Sequence, residues 1–183
     1  MNSNTFLNWI IVNIPFLCAI LILIISIVGA VKNGFVKSIF NLISAILSSI
    51  VILLLAFAVH GAFDKDRIKF VVAIVLIVLL GIVYKLLSLF FTSLKFVSKL
   101  PIVKSLDKVL GVLFAVCITV IIVWAVYCVV IILGGGSLGP WILRCVKANP
   151  VMKFLYQYNY MYKIVYNLSD KIRSVDIWGA LGM

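Results

Sequence analysis

The chain has 183 residues, 66% of them hydrophobic, and a mean hydropathy of +1.31. An ordinary globular domain is roughly 45–50% apolar, so a soluble fold of this length could not bury this much apolar side chain. The net charge of +11 comes from 16 Lys and Arg against 5 Asp, with no Glu. These basic residues lie between apolar runs instead of clustering on one polar module. The charge therefore points to membrane orientation and anionic lipid headgroups, and it excludes nucleic acid as a partner.

Four apolar runs are each long enough to cross a bilayer, which takes about 20 residues. The first is expected over about residues 9–31, with Pro15 in its opening turns, where a missing N–H does least harm. Val28-Gly29-Ala30 has the look of a leader-cleavage site. The run before it lacks a basic start, and its apolar core of about twenty residues exceeds the 7–15 of a leader. It is therefore expected to stay as a span.

Lys32, Asn33, Gly34 and Lys37 then interrupt the text and read as a tight first connection. The second span, about 38–59, holds fourteen Leu, Ile, Val or Phe residues between Ile39 and Val59. At roughly −0.3 to −0.6 kcal/mol each, these favour insertion by about 4–8 kcal/mol, enough to outweigh Asn41 and the serines. The third span, about 68–89, contains Lys85, whose long stem lets its ammonium snorkel to the headgroups. Leu87, Phe90, Phe91, Leu94 and Val97 recur at helical spacing beyond it. They predict an interfacial amphipathic helix over about 87–100 that ends at Pro101. The fourth span, about 109–133, stops at "LGGGSLGP".

Residues 138–183 read as an amphipathic, tyrosine-rich tail. Asn149-Pro150 is an N-cap followed by proline at the first helical position. Val151, Leu155, Tyr158, Tyr162, Val165 and Ile172 form a stripe of about 3.5 period, which predicts one long helix lying on the membrane or against a partner. Five of the seven tyrosines fall here, and tyrosine favours the membrane–water boundary.

The fold class is thus an all-α integral membrane protein of four transmembrane helices plus interfacial amphipathic helices, with the four-span domain at 1–137. Lysine bookkeeping favours connections one and three in the cytoplasm and both termini outside.

Chemistry finds little to rest on. His60 is the one histidine, and the four cysteines show no CxxC or Cys/His spacing, so no metal, cofactor or redox site is expected. Neither a nucleophile–base set nor paired intramembrane carboxylates can be read, and no enzyme is expected. Asp107 stands at the entrance to the fourth span, where an anion is favoured by the helix N-terminus. Gly111, Ala115 and Thr119 are spaced four apart, as are Ser44 and Ser48. Small residues at this spacing let helices approach closely in lipid, whether the neighbour is in the same chain, in another copy of a homo-oligomer or in another membrane protein.

Two stretches carry a family resemblance. "GAVKNGFVKSIFNLI" (29–43), with Gly29, Lys32, Asn33, Gly34, Phe35 and Lys37, resembles the junction of the first two spans in the colicin V production protein family (CvpA). "SLDKVLGVLFA" (105–115), with Asp107, Lys108 and Gly111, is similar to that family's second signature, and the resemblance covers about residues 10–133. Three departures stand out. Asn33 takes the place where the family often has arginine. Ala115, Ile118 and Thr119 stand where it usually continues through Gly and Arg-Gly, and its acidic residue near the start of span one is missing. The resemblance implies a small multi-pass protein of the bacterial cytoplasmic (inner) membrane, a scaffold or accessory factor in toxin production or export or in envelope homeostasis. The alternative is an oligomeric channel or tension-sensing pore.

Overall fold

The computed structural model describes residues 3–60, 66–93, 104–133, 138–164 and 166–167; at 3–8, 33, 66, 92, 104–107 and 138 it describes the backbone alone. The elements are α1 (Ser3–His60), α2 (Asp66–Ser93), α3 (Lys104–Ile132), α4 (Leu138–Ala148) and α5 (Pro150–Gln157), with no strand among the described residues. Four segments are long and apolar enough to cross a membrane: Trp9–Lys32, Gly34–His60, Arg67–Phe91 and Lys108–Ile132, here called spans 1 to 4.

Spans 1 and 2 are the two arms of α1, joined at Gly34, whose φ of 79° and ψ of 178° are not helical. That region is essentially open only to glycine, because a Cβ would collide with the backbone. The first connection, expected over residues 32–37, therefore shrinks to a single turn of the chain, and Lys37 lies within span 2. The direction reverses here. Ala30 of span 1 meets Gly111 of α3, while Phe16, Ala19 and Leu23 share a cavity with Val116 and Thr119, so the two helices run antiparallel. Span 2 runs parallel to α3, with Phe35 on Phe114 near one end and Ile52, Leu53 and Ala56 clustered with Ala125, Val129 and Ile132 near the other. Span 3 returns antiparallel to span 2, pairing Phe91 with Phe40 and Ser88 with Asn41.

Span 4 is the hub: 56% of its most apolar window is buried, against 11% for span 1. Its neighbours explain why. One core cluster joins span 2, α2 and α3 through Leu53, Leu76 and Val129; a second joins α3 to α4 and α5 through Tyr127, Ile142, Val146 and Met152. Small polar residues are buried without cost because each hydroxyl donates to its own helix: Ser44 Oγ to Phe40 O at 2.8 Å, Ser49 Oγ to Ala45 O at 2.7 Å and Thr119 Oγ1 to Ala115 O at 2.9 Å. Hydrocarbon offers no water to satisfy them otherwise.

The C-terminal part departs from the sequence reading. "LGGGSLGP" ends α3, but Leu138, Gly139 and Pro140 form the first turn of α4, where proline's missing N–H is harmless. Asn149 does cap α5, its Oδ1 accepting from Val151 N at 3.0 Å and Met152 N at 3.3 Å. The single long helix does not form: α5 stops at Gln157, and the chain turns at Tyr158 and Asn159 before helix resumes at Tyr160. The face buried on the bundle is not the expected stripe's, which stays outward at Val151 and Tyr158, while Met152 and Asn159 are buried.

The cause is a clasp onto α3. Asn159 Nδ2 donates to Trp124 O at 3.2 Å and to Cys128 Sγ at 3.4 Å, and Trp124 Nε1 donates to Leu155 O at 2.8 Å. This segment packs one face on the bundle, while Val151, Phe154, Tyr158, Tyr160 and Ile164 stay exposed. Residues 94–100 of the expected interfacial helix lie outside the described residues; α2 runs unbroken to Ser93.

Candidate functional site

The two stretches singled out in the sequence come together in space. A Cβ built on Gly111 would lie 3.4 Å from both the Cβ and the carbonyl oxygen of Ala30, and the Phe35 and Phe114 rings stand 5.4 Å apart. The junction of spans 1 and 2 is thus pinned to the start of span 4. Of the other motif residues, Lys32 and Lys108 are exposed and Lys37 is half-buried, while the side chains of Asn33 and Asp107 lie outside the described residues. Ser44, Ser48, Ala115 and Thr119 are buried in the bundle.

Beside this contact lies a cavity of about 420 Å³ lined by residues of all four spans. Span 1 contributes Ser26, Gly29 and Ala30; span 2 contributes Lys37, Ser38 and Asn41; α2 contributes Gly81, Tyr84, Lys85 and Ser88; α3 contributes Ala115. Ser88 Oγ donates to Asn41 Oδ1 at 2.6 Å, tying α2 to span 2 and leaving the amide NH2 as Asn41's donor half. Ser38 Oγ donates to Gly34 O at 2.9 Å, so the cleft wall is tied to the reversal itself. Toward mid-membrane the lining turns apolar at Ile22, Ile25, Ile118 and Ile122. Ionisable and amide groups within a span are costly, and they concentrate where a bundle does work.

The sequence reading named Lys37 and Ala115 but missed Gly81, Tyr84 and Ser88. A signal was there: Gly81, Lys85 and Ser88 recur at i, i+4 and i+7, which sets them on one face of α2. Lys85 turns that face into the cleft wall; it lies about 9 Å of helix short of Phe91, within reach of the boundary.

A family model described as colicin V production protein matches residues 17–154. The chain belongs to that family. The match continues through α4 into the start of α5, farther than the two motifs reach. No curated protein and no solved structure matches the chain.

No group of three or more metal-ligating side chains occurs among the described residues. Cys18 and Cys117 are exposed, whereas Cys128 and Cys145 are buried. Burial pushes the Cys145 thiol up from its ordinary range, against a smaller downward pull from Arg144. A thiol held protonated is a poor nucleophile.

Proposed function

We propose that this member of the colicin V production family is a non-enzymatic scaffold or accessory factor in toxin production or export, or in the upkeep of the bacterial envelope, and that the polar cleft is its working surface. The observation that carries the reading is the convergence of all four spans on one recess bearing Lys37, Asn41, Lys85 and Ser88. A recess that turns apolar at four isoleucines favours holding a ligand or a partner at one end over passing a solute through. The groups on offer are ammonium, amide and hydroxyl, which suit recognition.

The protein belongs, in this reading, to the bacterial cytoplasmic membrane. Lys32, Lys37, Lys85 and Lys108 stand toward one end of the bundle, and the positive-inside rule sets that end in the cytoplasm with both termini outside. The small-residue positions Ser44, Ser48, Ala115 and Thr119 are occupied within the chain. A second copy would meet the outward faces of span 1 and α2, which carry exposed Leu21, Ile25, Val75 and Val78.

Purified protein in planar bilayers is expected to pass no unitary current; reproducible conductance steps would replace this reading with the pore. Cysteine-accessibility labelling is expected to reach residue 3 from outside. A protected residue 3 would invert the orientation.

A further inference from the structure

Beyond span 4 the chain turns back into the bundle. Gly139 and Pro140, at the start of α4, share a cavity with Val130 and Ile131 near the end of span 4. Farther along, Val151 and Leu155 of α5 share a cavity with Val116 and Val120 of span 4 and with Ile20 of span 1. Residue 120 is the centre of Lys108–Ile132, and residue 20 stands at the centre of Trp9–Lys32. From Ile132 to Val120 is about 18 Å of helix. The chain then climbs again: Asn159 bonds Trp124 O and Cys128 Sγ, and Tyr162 packs on the cluster that holds Ile132 and Leu133. α4 and α5 are therefore the two arms of a hairpin whose tip, Asn149-Pro150, stands at mid-bilayer depth.

The outward face of this hairpin is charged. Residues 138–164 include Arg144, Lys147, Lys153 and Lys163 and no acidic residue, and all four cations are exposed. Lys147 and Lys153 flank the tip, and neither makes an ion pair or hydrogen bond among the described residues. A four-carbon stem is too short to carry an ammonium across half of a core about 30 Å thick. An ammonium left in hydrocarbon is costly. The backbone makes the same demand independently. The last carbonyls of a helix lack intrahelical partners, and Pro150 brings no N–H to those of α4. Broken backbone at membrane depth persists where it is buried in protein or meets water. Ala148 and Pro150 are exposed, which leaves water.

We infer that α4–α5 is a re-entrant hairpin whose cationic face lines a water-filled recess, open where span 4 ends and reaching mid-bilayer, and that this recess concentrates small anions. Charge of one sign on low-dielectric walls raises the local concentration of counter-ions. The recess stands apart from the polar cleft, which lies toward the opposite end of the bundle, and because it reaches half-way it calls for no conductance.

The test is cysteine labelling of the full chain in lipid vesicles, with reagent supplied to both faces so that orientation does not enter. Cys18→Ala with Cys117→Ala removes the exposed native thiols. In that background, Ala148→Cys beside Lys147 is expected to react with an anionic methanethiosulfonate, while Leu21→Cys, exposed on span 1 at the same depth, stays unmodified. With each rate normalised to that of a free thiol, the anionic reagent should modify Ala148→Cys about tenfold faster than its trimethylammonium counterpart. Lys147→Gln with Lys153→Gln should bring the two rates level, and Lys147→Arg with Lys153→Arg should restore the preference. A short, membrane-permeant bismaleimide is expected to join Ile20→Cys to Val151→Cys.

Failure of that cross-link would overturn the re-entrant depth. With the cross-link formed, labelling of Ala148→Cys no faster than of Leu21→Cys would make the hairpin dry and overturn the recess. Equal normalised rates for the two reagents, or a preference that survives loss of both lysines, would overturn the anion assignment.

Discussion

Toward one end of the bundle, Trp124, Cys128 and Asn159 close the gap between α3 and the C-terminal segment with hydrogen bonds of 3.2 and 3.4 Å. Toward the other, Gly29 and Gly81 leave a gap of about 420 Å³ open. Both regions place polar groups at membrane depth, where an unsatisfied group is expensive. In the clasp those groups satisfy one another, and the polar side chain is buried. In the cleft they face a space, and two of them are lysines. The contrast is between polar groups closed into a packed contact and polar groups that line a cavity.

The largest effect is expected where both regions depend on one backbone conformation. Gly34→Val places a β-branched residue at φ 79° and ψ 178°, a region that costs roughly 3 kcal/mol for a non-glycine residue. The reversal would open, releasing Ser38 from Gly34 O and separating the Phe35–Phe114 pair. Membrane levels of the variant, read by immunoblot, are expected to fall severalfold, while Asn33→Arg stays near wild type. Normal levels and normal melting for Gly34→Val would reduce the junction to a simple linker.

Asn159→Leu probes the clasp. The variant leaves the Cys128 thiol without its amide partner and removes the acceptor for Tyr162 N. Polar contacts inside membrane bundles contribute about 0.6–2 kcal/mol, so the midpoint of unfolding in detergent should drop by a comparable amount.

The four spans were legible because each is a long apolar run, and length alone separates such a run from a core helix. Gly34 was legible as the reversal for the same reason: glycine tolerates what other residues do not. Two features were not. The clasp depends on Asn159, an asparagine whose neighbours Tyr158 and Tyr160 fit an amphipathic stripe; nothing local says that its amide will reach across to Trp124. Tertiary contact overrode the period. The cleft was hidden because Lys85 was read alone, as a snorkelling charge, and Gly81 and Ser88 were not singled out. Only their common face on α2, set against Lys37 and Asn41 from span 2, makes them a site.

The finest comparison is between glycines. Gly81→Ala and Gly111→Ala make the same chemical change in helix interiors, and each should gain about 0.8–1.0 kcal/mol from helix propensity. At Gly81 the new methyl enters open space, so the gain should appear in full as a raised unfolding midpoint. At Gly111 it arrives 3.4 Å from the Ala30 Cβ and carbonyl oxygen, at the tight end of ordinary van der Waals contact. The methyl has no open space there, any yielding falls on span 1 beside Gly34, and the propensity gain should be smaller. Unfolding midpoints of the two variants in one detergent check this directly. Equal stabilisation would mean that span 1 yields freely at Ala30 and that the contact joining the two motif stretches contributes little; a loss at Gly81 would mean that its cleft face is already filled in the resting protein.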